Sequence, residues 1–179
     1  MKKYVILLLV GVFSLFSVSA FAQAADSSAS NPGILPTSPF YFLKEWKRGV
    51  VRTFTFDSEK KAELELDEAN ERAAEIKKIE EISPEKTEAL AKAAENYQEN
   101  VERLKTRLEA LKETSENPNV EKLIEKVVER SIEHQELFNG LQEKMADKEL
   151  IKEQLKASGE KIGEIISNIP EQLKNSGTI

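Results

Sequence analysis

The sequence predicts an all-α protein: an up-down antiparallel helical bundle, or a long helical hairpin, of about four to five helices. Three observations predict it. From Pro39 onward apolar residues recur at spacings of three and four, the signature of one buried helical stripe. The interruptions are short and carry the residues that stop or start helices, as in Ser83-Pro84 and "SENPN" at 115–119. No run shows the period-two alternation of a half-buried strand. Short connections favour antiparallel neighbours, and the alternative is a coiled-coil hairpin that self-associates.

The first element is an export signal over residues 1–24. Lys2 and Lys3 precede the uncharged run "YVILLLVGVFSLFSV", and small-x-small pairs follow at Ala20/Ala22 and Ala22/Ala24. Cleavage after Ala24 is the favoured reading. The alternative is a retained anchor, since the uncharged stretch from Tyr4 to Ala25 approaches the ~20 residues a spanning helix needs. Either way the bulk of the chain is expected outside the cytoplasm: periplasmic, cell-surface or extracellular. Residues 25–38, "ADSSASNPGILPTS", have the Ser- and Pro-rich composition of a linker with no packed core of its own.

The helical domain is expected over 39–170, with a flexible tail at 171–179. Its first helix begins at Pro39 with Ser38 as cap. Leu43, Trp46, Val50 and Phe54 share one sector of that helix, flanked by Phe40 and Val51. Lys44, Arg48 and Arg52 run at i, i+4, i+8 along one edge of the sector. Asp57 caps the second helix, whose seam is Ala62, Leu66, Ala69, Ala73, Ile76 and Ile79. Ser83-Pro84 ends it and starts the third helix. The third carries the cleanest seam: Leu90, Ala94, Tyr97, Val101, Leu104, Leu108 and Leu111 alternate by four and three. The fourth aligns Val120, Ile124, Val127, Phe138, Leu141 and Met145, with Ser131 and His134 as polar members. The fifth aligns Ile151, Leu155, Ile162, Ile165, Ile166 and Ile169. Asn139-Gly140 and Asp147 are two candidate places for the boundary between the last two.

Composition restricts function. The chain has no cysteine, which excludes a disulfide framework, thiolate metal sites and thiol catalysis. Without Lys2 and Lys3 the balance is 24 basic against 32 acidic residues, about −8, which disfavours nucleic-acid phosphates as partners. Basic character is local to "TSPFYFLKEWKRGVVRTFTFD" at 37–57. That stretch also holds six of the eight aromatic residues beyond position 24.

This stretch, and the one after it, resembles a known family. "SPFYFLK", "TFTFDSEKKAELEL" and "EANERAAEI" are similar to the family catalogued as domain of unknown function 5667, found in exported or membrane-linked proteins of bacteria and archaea. The matching positions are Tyr41, Leu43, Lys44, Thr55, Phe56, Asp57, Glu59, Lys60, Lys61, Ala62, Glu63, Leu64, Ala69, Arg72 and Glu75. Ser58 stands where the family often has proline, and Ala69-Asn70-Glu71 is more polar than usual. The resemblance covers about residues 35–115, leaving the last 60 or so outside it. It implies a helical, exported protein and brings no assigned activity.

Candidate sites are few. Phe40, Lys44, Trp46, Arg48 and Arg52 form a candidate interaction surface, because Trp and Phe beside Lys and Arg on a short amphipathic helix suit an anionic membrane surface. The competing expectation, favoured here, is that the aromatic face docks into the core while the basic row meets acidic helices. His134 is the sole histidine, so the paired Glu-x-x-His motifs of a di-iron bundle are absent. It reads as a polar layer with Ser131 that fixes register, with a pH sensor as the alternative. Gly159 and Gly163, in a segment too charged to span a membrane, read as a close approach of a neighbouring helix. No phosphate loop, nucleophile elbow or calcium loop occurs. The expectation is a non-enzymatic chain without metal or cofactor that acts by protein–protein contact in the cell envelope. A peripheral membrane binder, a chaperone-like cradle and a homo-oligomer are the alternatives.

Overall fold

The computed structural model describes residues 32–112 and 118–169. Among them the chain is all helical and free of strands, with five helices: α1 (Tyr41–Phe54), α2 (Ser58–Ile82), α3 (Thr87–Lys112), α4 (Pro118–Lys144) and α5 (Glu149–Asn168). The expected signal segment, most of the expected linker, the "SENPN" turn up to Glu116-Asn117 and the expected tail lie outside the described residues.

Local chemistry sets the boundaries. Asp57 caps α2, its Oδ1 accepting the Lys60 backbone N–H at 2.9 Å. The helix ends before Pro84, with the Ser83 N–H still bonded to Ile79 O. Helix α3 starts at Thr87, three residues beyond the expected proline start, because Ser83–Lys86 first makes a turn of its own. Ser38 Oγ accepts the Phe40 N–H in a turn just ahead of α1, which then begins at Tyr41. Pro118 stands at the first turn of α4, where its missing N–H costs nothing. The α4–α5 boundary falls at the expected Asp147 and not at Gly140, although Lys148 and not Asp147 occupies the capping position. Helix α4 runs through Asn139-Gly140 to Lys144, and the chain turns over Met145–Asp147.

The four long helices share one core, and nearly every expected seam residue is in it. All six apolar positions named on α2, all seven on α3, the five on α4 and Met145 in the turn after it are buried. On α5 only Ile166 is partly exposed. Helix α2 packs on α3 and α4, and α5 packs on the same two. Side-chain contacts give the register. Gln98–Gln154, Glu102–Lys161 and Lys105–Glu164 rise together, so α3 and α5 run in the same direction. Phe138–Gly159 and Gln135–Gly163 run opposite ways, so α4 and α5 are antiparallel. The two glycines mark the close approach their spacing suggested. A Cβ on Gly159 would touch Phe138 Cβ at 3.6 Å, and one on Gly163 would collide with the Gln135 amide.

The polar layer sits inside this core. Tyr97 Oη and His134 Nδ1 share a hydrogen bond of 2.9 Å, with both residues buried. The Tyr97 ring meets His134 edge-on and lies 4.7 Å from the Phe138 ring. Ser131 is fully buried, and its hydroxyl has no hydrogen-bond partner. Burial, assisted by the Arg130 charge, lowers the His134 pKa to about 4, so the imidazole is neutral at pH 7.

Candidate functional site

Helix α1 departs from expectation. Its aromatic face does not dock into the core. Phe42, Leu43, Trp46, Val50 and Phe54 are exposed, Trp46 and Phe54 at 70% each, and Phe40 and Phe56 extend the patch at either end. At 100° per residue these five positions fall within one sector of about 120°. No charged side chain falls within that sector; exposed Lys47 lies about 20° beyond its edge.

The opposite sector faces the protein, and it is charged. Helix α2 carries two parallel seams: the apolar one facing α3 and α4, and a second made of Glu65, Glu68, Arg72 and Glu75, spaced three, four and three. All four of these ionisable side chains are buried, Glu65 and Glu75 at 1% exposure. Lys44, Arg48 and Arg52 reach them from α1. Lys44 Nζ lies 2.6 Å from Glu75 and 2.8 Å from Glu71. Arg48 bridges Glu71 at 2.6 Å and Glu75 at 3.0 Å, and also bonds Glu45 on its own helix. Arg52 pairs with Glu68 at 2.6 Å. Its contact with Glu65 at 3.2 Å is an attraction of charges without the alignment of a hydrogen bond. Arg72 crosses back to Glu45 at 2.8 Å, and Arg103 of α3 closes the network on Glu65 at 3.0 Å. The pairing order, 48 with 75 and 52 with 68, makes α1 antiparallel to α2.

Five cations (Lys44, Arg48, Arg52, Arg72, Arg103) thus face five carboxylates (Glu45, Glu65, Glu68, Glu71, Glu75), and the charges balance. Tyr41 joins them: its hydroxyl donates to Glu75 Oε2 at 2.7 Å and accepts from Arg48 at 3.1 Å. Burial, then the Glu75 charge and hydrogen bond, push the Tyr41 phenol far above its ordinary range. Burial alone would raise Glu45 and Glu71. The Arg72 and Arg48 guanidiniums and the Lys44 ammonium outweigh it, and both carboxyls are held below the usual value. Glu68 goes the other way, raised by burial and by neighbouring Glu65 against the pull of Arg52. The same competition holds Arg48 charged: burial opposes its cation, and Glu75 and Glu71 more than compensate.

The chain leading into α1 is tied to it. Lys44 Nζ donates to the carbonyls of Pro32 and Ile34, Pro32 is buried, and Leu35 packs against the core. From Pro32 on, the stretch read from composition as linker is therefore anchored.

The family model described as Domain of unknown function (DUF5667) matches residues 33–172. The chain belongs to this family. The match begins at the anchored segment and takes in all five helices, so the last helices, expected to lie outside the resemblance, are part of it. No curated protein and no solved structure matches the chain. Several residues that carry the DUF5667 resemblance meet in space: Tyr41 and Lys44 of α1 touch Glu75 of α2, Arg72 lies beside Tyr41, and Asp57 caps the helix that carries them.

The candidate surface residues therefore divide. Phe40 and Trp46 point outward, while Lys44, Arg48 and Arg52 point inward and are neutralised. The basic row meets an acidic helix, α2, as expected, while the expected docking of the aromatic face does not occur, and Phe42, Leu43 and Phe54 were missed as outward residues. The signal was present: a basic row at i, i+4, i+8 on one helix and a second, charged three-four seam on the next. Among the described residues no cluster of histidine and carboxylate side chains is placed to hold a metal, and no helix is long and apolar enough to cross a membrane.

Proposed function

We propose that the chain is an exported, non-enzymatic display module of the cell envelope. Its up-and-down helical bundle serves as a rigid base, and α1 presents an apolar face to a binding partner. The observation that carries this reading is the orientation of α1. A soluble helix ordinarily buries its apolar face and exposes its charged one, and here the charged face is consumed by ion pairs while Phe42, Trp46 and Phe54 face outward. Contiguous exposed apolar surface of this kind marks interaction sites. Burying charges in pairs contributes little net stability compared with apolar packing, so the arrangement is better explained by use of the outer face than by a gain in folding energy. The signal-like N-terminus supports export, and the family match supports the helical module without adding an activity.

A photo-crosslinking side chain placed at position 46 in intact cells, against one at exposed Glu160 on α5, tests the reading. A defined adduct at 46 and none at 160 is the expected result. Absence of any adduct at 46 would overturn it.

A further inference from the structure

We infer that the surface α1 engages is a lipid bilayer, entered by insertion of the aromatic face and not by attraction to anionic headgroups; this rests on the display reading above. Three observations point there. First, the outer face is the one an in-plane interfacial helix needs: Phe42, Trp46, Val50 and Phe54 lie along about 18 Å of helix at 1.5 Å per residue, and no carboxylate interrupts them. Second, charge is removed from the transaction. The cations that would seek anionic lipid are spent on α2 glutamates, leaving Lys47 at the edge of the outer face of a chain that is otherwise acidic. Such a protein is repelled by a strongly anionic surface and gains from burying Trp and Phe at a neutral one. Third, chain geometry holds α1 close to the apolar run that ends at Ala25. Lys44 ties α1 to Pro32, so six residues, 26–31, separate the two, which at about 3.5 Å per residue is a reach of about 20 Å. If that run is held in a bilayer, α1 is confined to within about 20 Å of it, close enough to reach the surface of the same bilayer. If it is removed, the aromatic face is free to find one.

Trp46 is the sole tryptophan and reports its own surroundings. The full chain is mixed with vesicles of phosphatidylcholine brominated on the acyl chains, at low salt and again at 1 M NaCl. The inference expects bromine quenching of Trp46 to at least half its intensity at both salt concentrations, with no requirement for phosphatidylglycerol. The double variant Phe42→Glu/Phe54→Glu keeps the reporter and should lose most of the quenching, even where the apolar run itself keeps the chain on the vesicle. Trp46 left unquenched, or quenched only by anionic vesicles at low salt, would overturn the inference. Unquenched Trp46 together with a protein adduct at position 46 in cells would overturn the bilayer alone and keep the display reading. Loss of both would overturn the two together.

Discussion

The two faces of α2 are held by opposite physics. Toward α3 and α4 it buries Ala62, Leu66, Ala69, Ala73, Ile76 and Ile79, a dry seam whose stability comes from removing apolar area from water. Toward α1 it buries Glu65, Glu68, Arg72 and Glu75, whose desolvation must be returned by partners on another helix. The first face tolerates no alternative occupant. The second holds a helix by charge, so that helix can keep its own apolar side for something else. An amphipathic pattern shows that a helix has two faces and leaves open which of them is turned inward.

The comparison can be broken most severely in the core. Phe138 is fully buried against Tyr97 and Gly159. Phe138→Ala should cost about 3–5 kcal/mol, read by urea unfolding, because the packed surroundings of a lost aromatic ring relax only partly into the cavity. A cost below about 1 kcal/mol would mean that the apolar seam is not the structural base.

Acid tests the same core through His134. Its folded-state pKa, about 4, lies below the ordinary value of 6.5, so the unfolded chain binds the proton more readily between these limits. Stability is then fully present above about pH 6.5 and is lost as pH falls toward 4, by on the order of 3 kcal/mol at 1.36 kcal/mol per pH unit. His134→Gln should flatten that part of the pH–stability curve. The charged interface contributes less there, since Glu45 and Glu71 are lowered while Glu68 is raised, and their effects oppose.

At the ionic face the expected effect is smaller and local. Glu75→Gln removes the carboxylate shared by Tyr41, Lys44 and Arg48, and should cost about 1–3 kcal/mol. Amide exchange should quicken across α1 while α3, α4 and α5 keep their protection. Uniform loss across all helices would show that α1 is part of the main cooperative unit. Trp46→Ala should change stability least, by under about 0.5 kcal/mol, as an outward side chain away from the network.

Most of the fold was legible in the sequence because helix periodicity is a direct readout of burial wherever a residue has a single stripe to hide. The seams of α2 to α4 are present residue for residue, as are the Asp57 cap and the Pro84 break. Leu123 and Ala93, also buried, were missed because the core needs a stripe wider than the strict seam. The aromatic face of α1 was misread for a different reason: hydrophobicity ranks Trp46 and Phe54 as inward even where, as expected, the basic row meets an acidic helix. The basic row and the aromatic face lie on opposite sides of α1, so pairing the row with the buried glutamate seam of α2 turns the aromatic face outward. Lys86 and Asp147 show the ordinary limit at helix ends, where turns of three or four residues shift a boundary without disturbing the stripe.

The central claim is the inside-out setting of α1, and collisional quenching of Trp46 by acrylamide, in lipid-free buffer, addresses it most directly. With the indole on the outer face, the account predicts quenching near that of a free tryptophan derivative, unchanged by dilution. A shielded indole with blue-shifted emission in the dilute protein would place the aromatic face against the helices and contradict it.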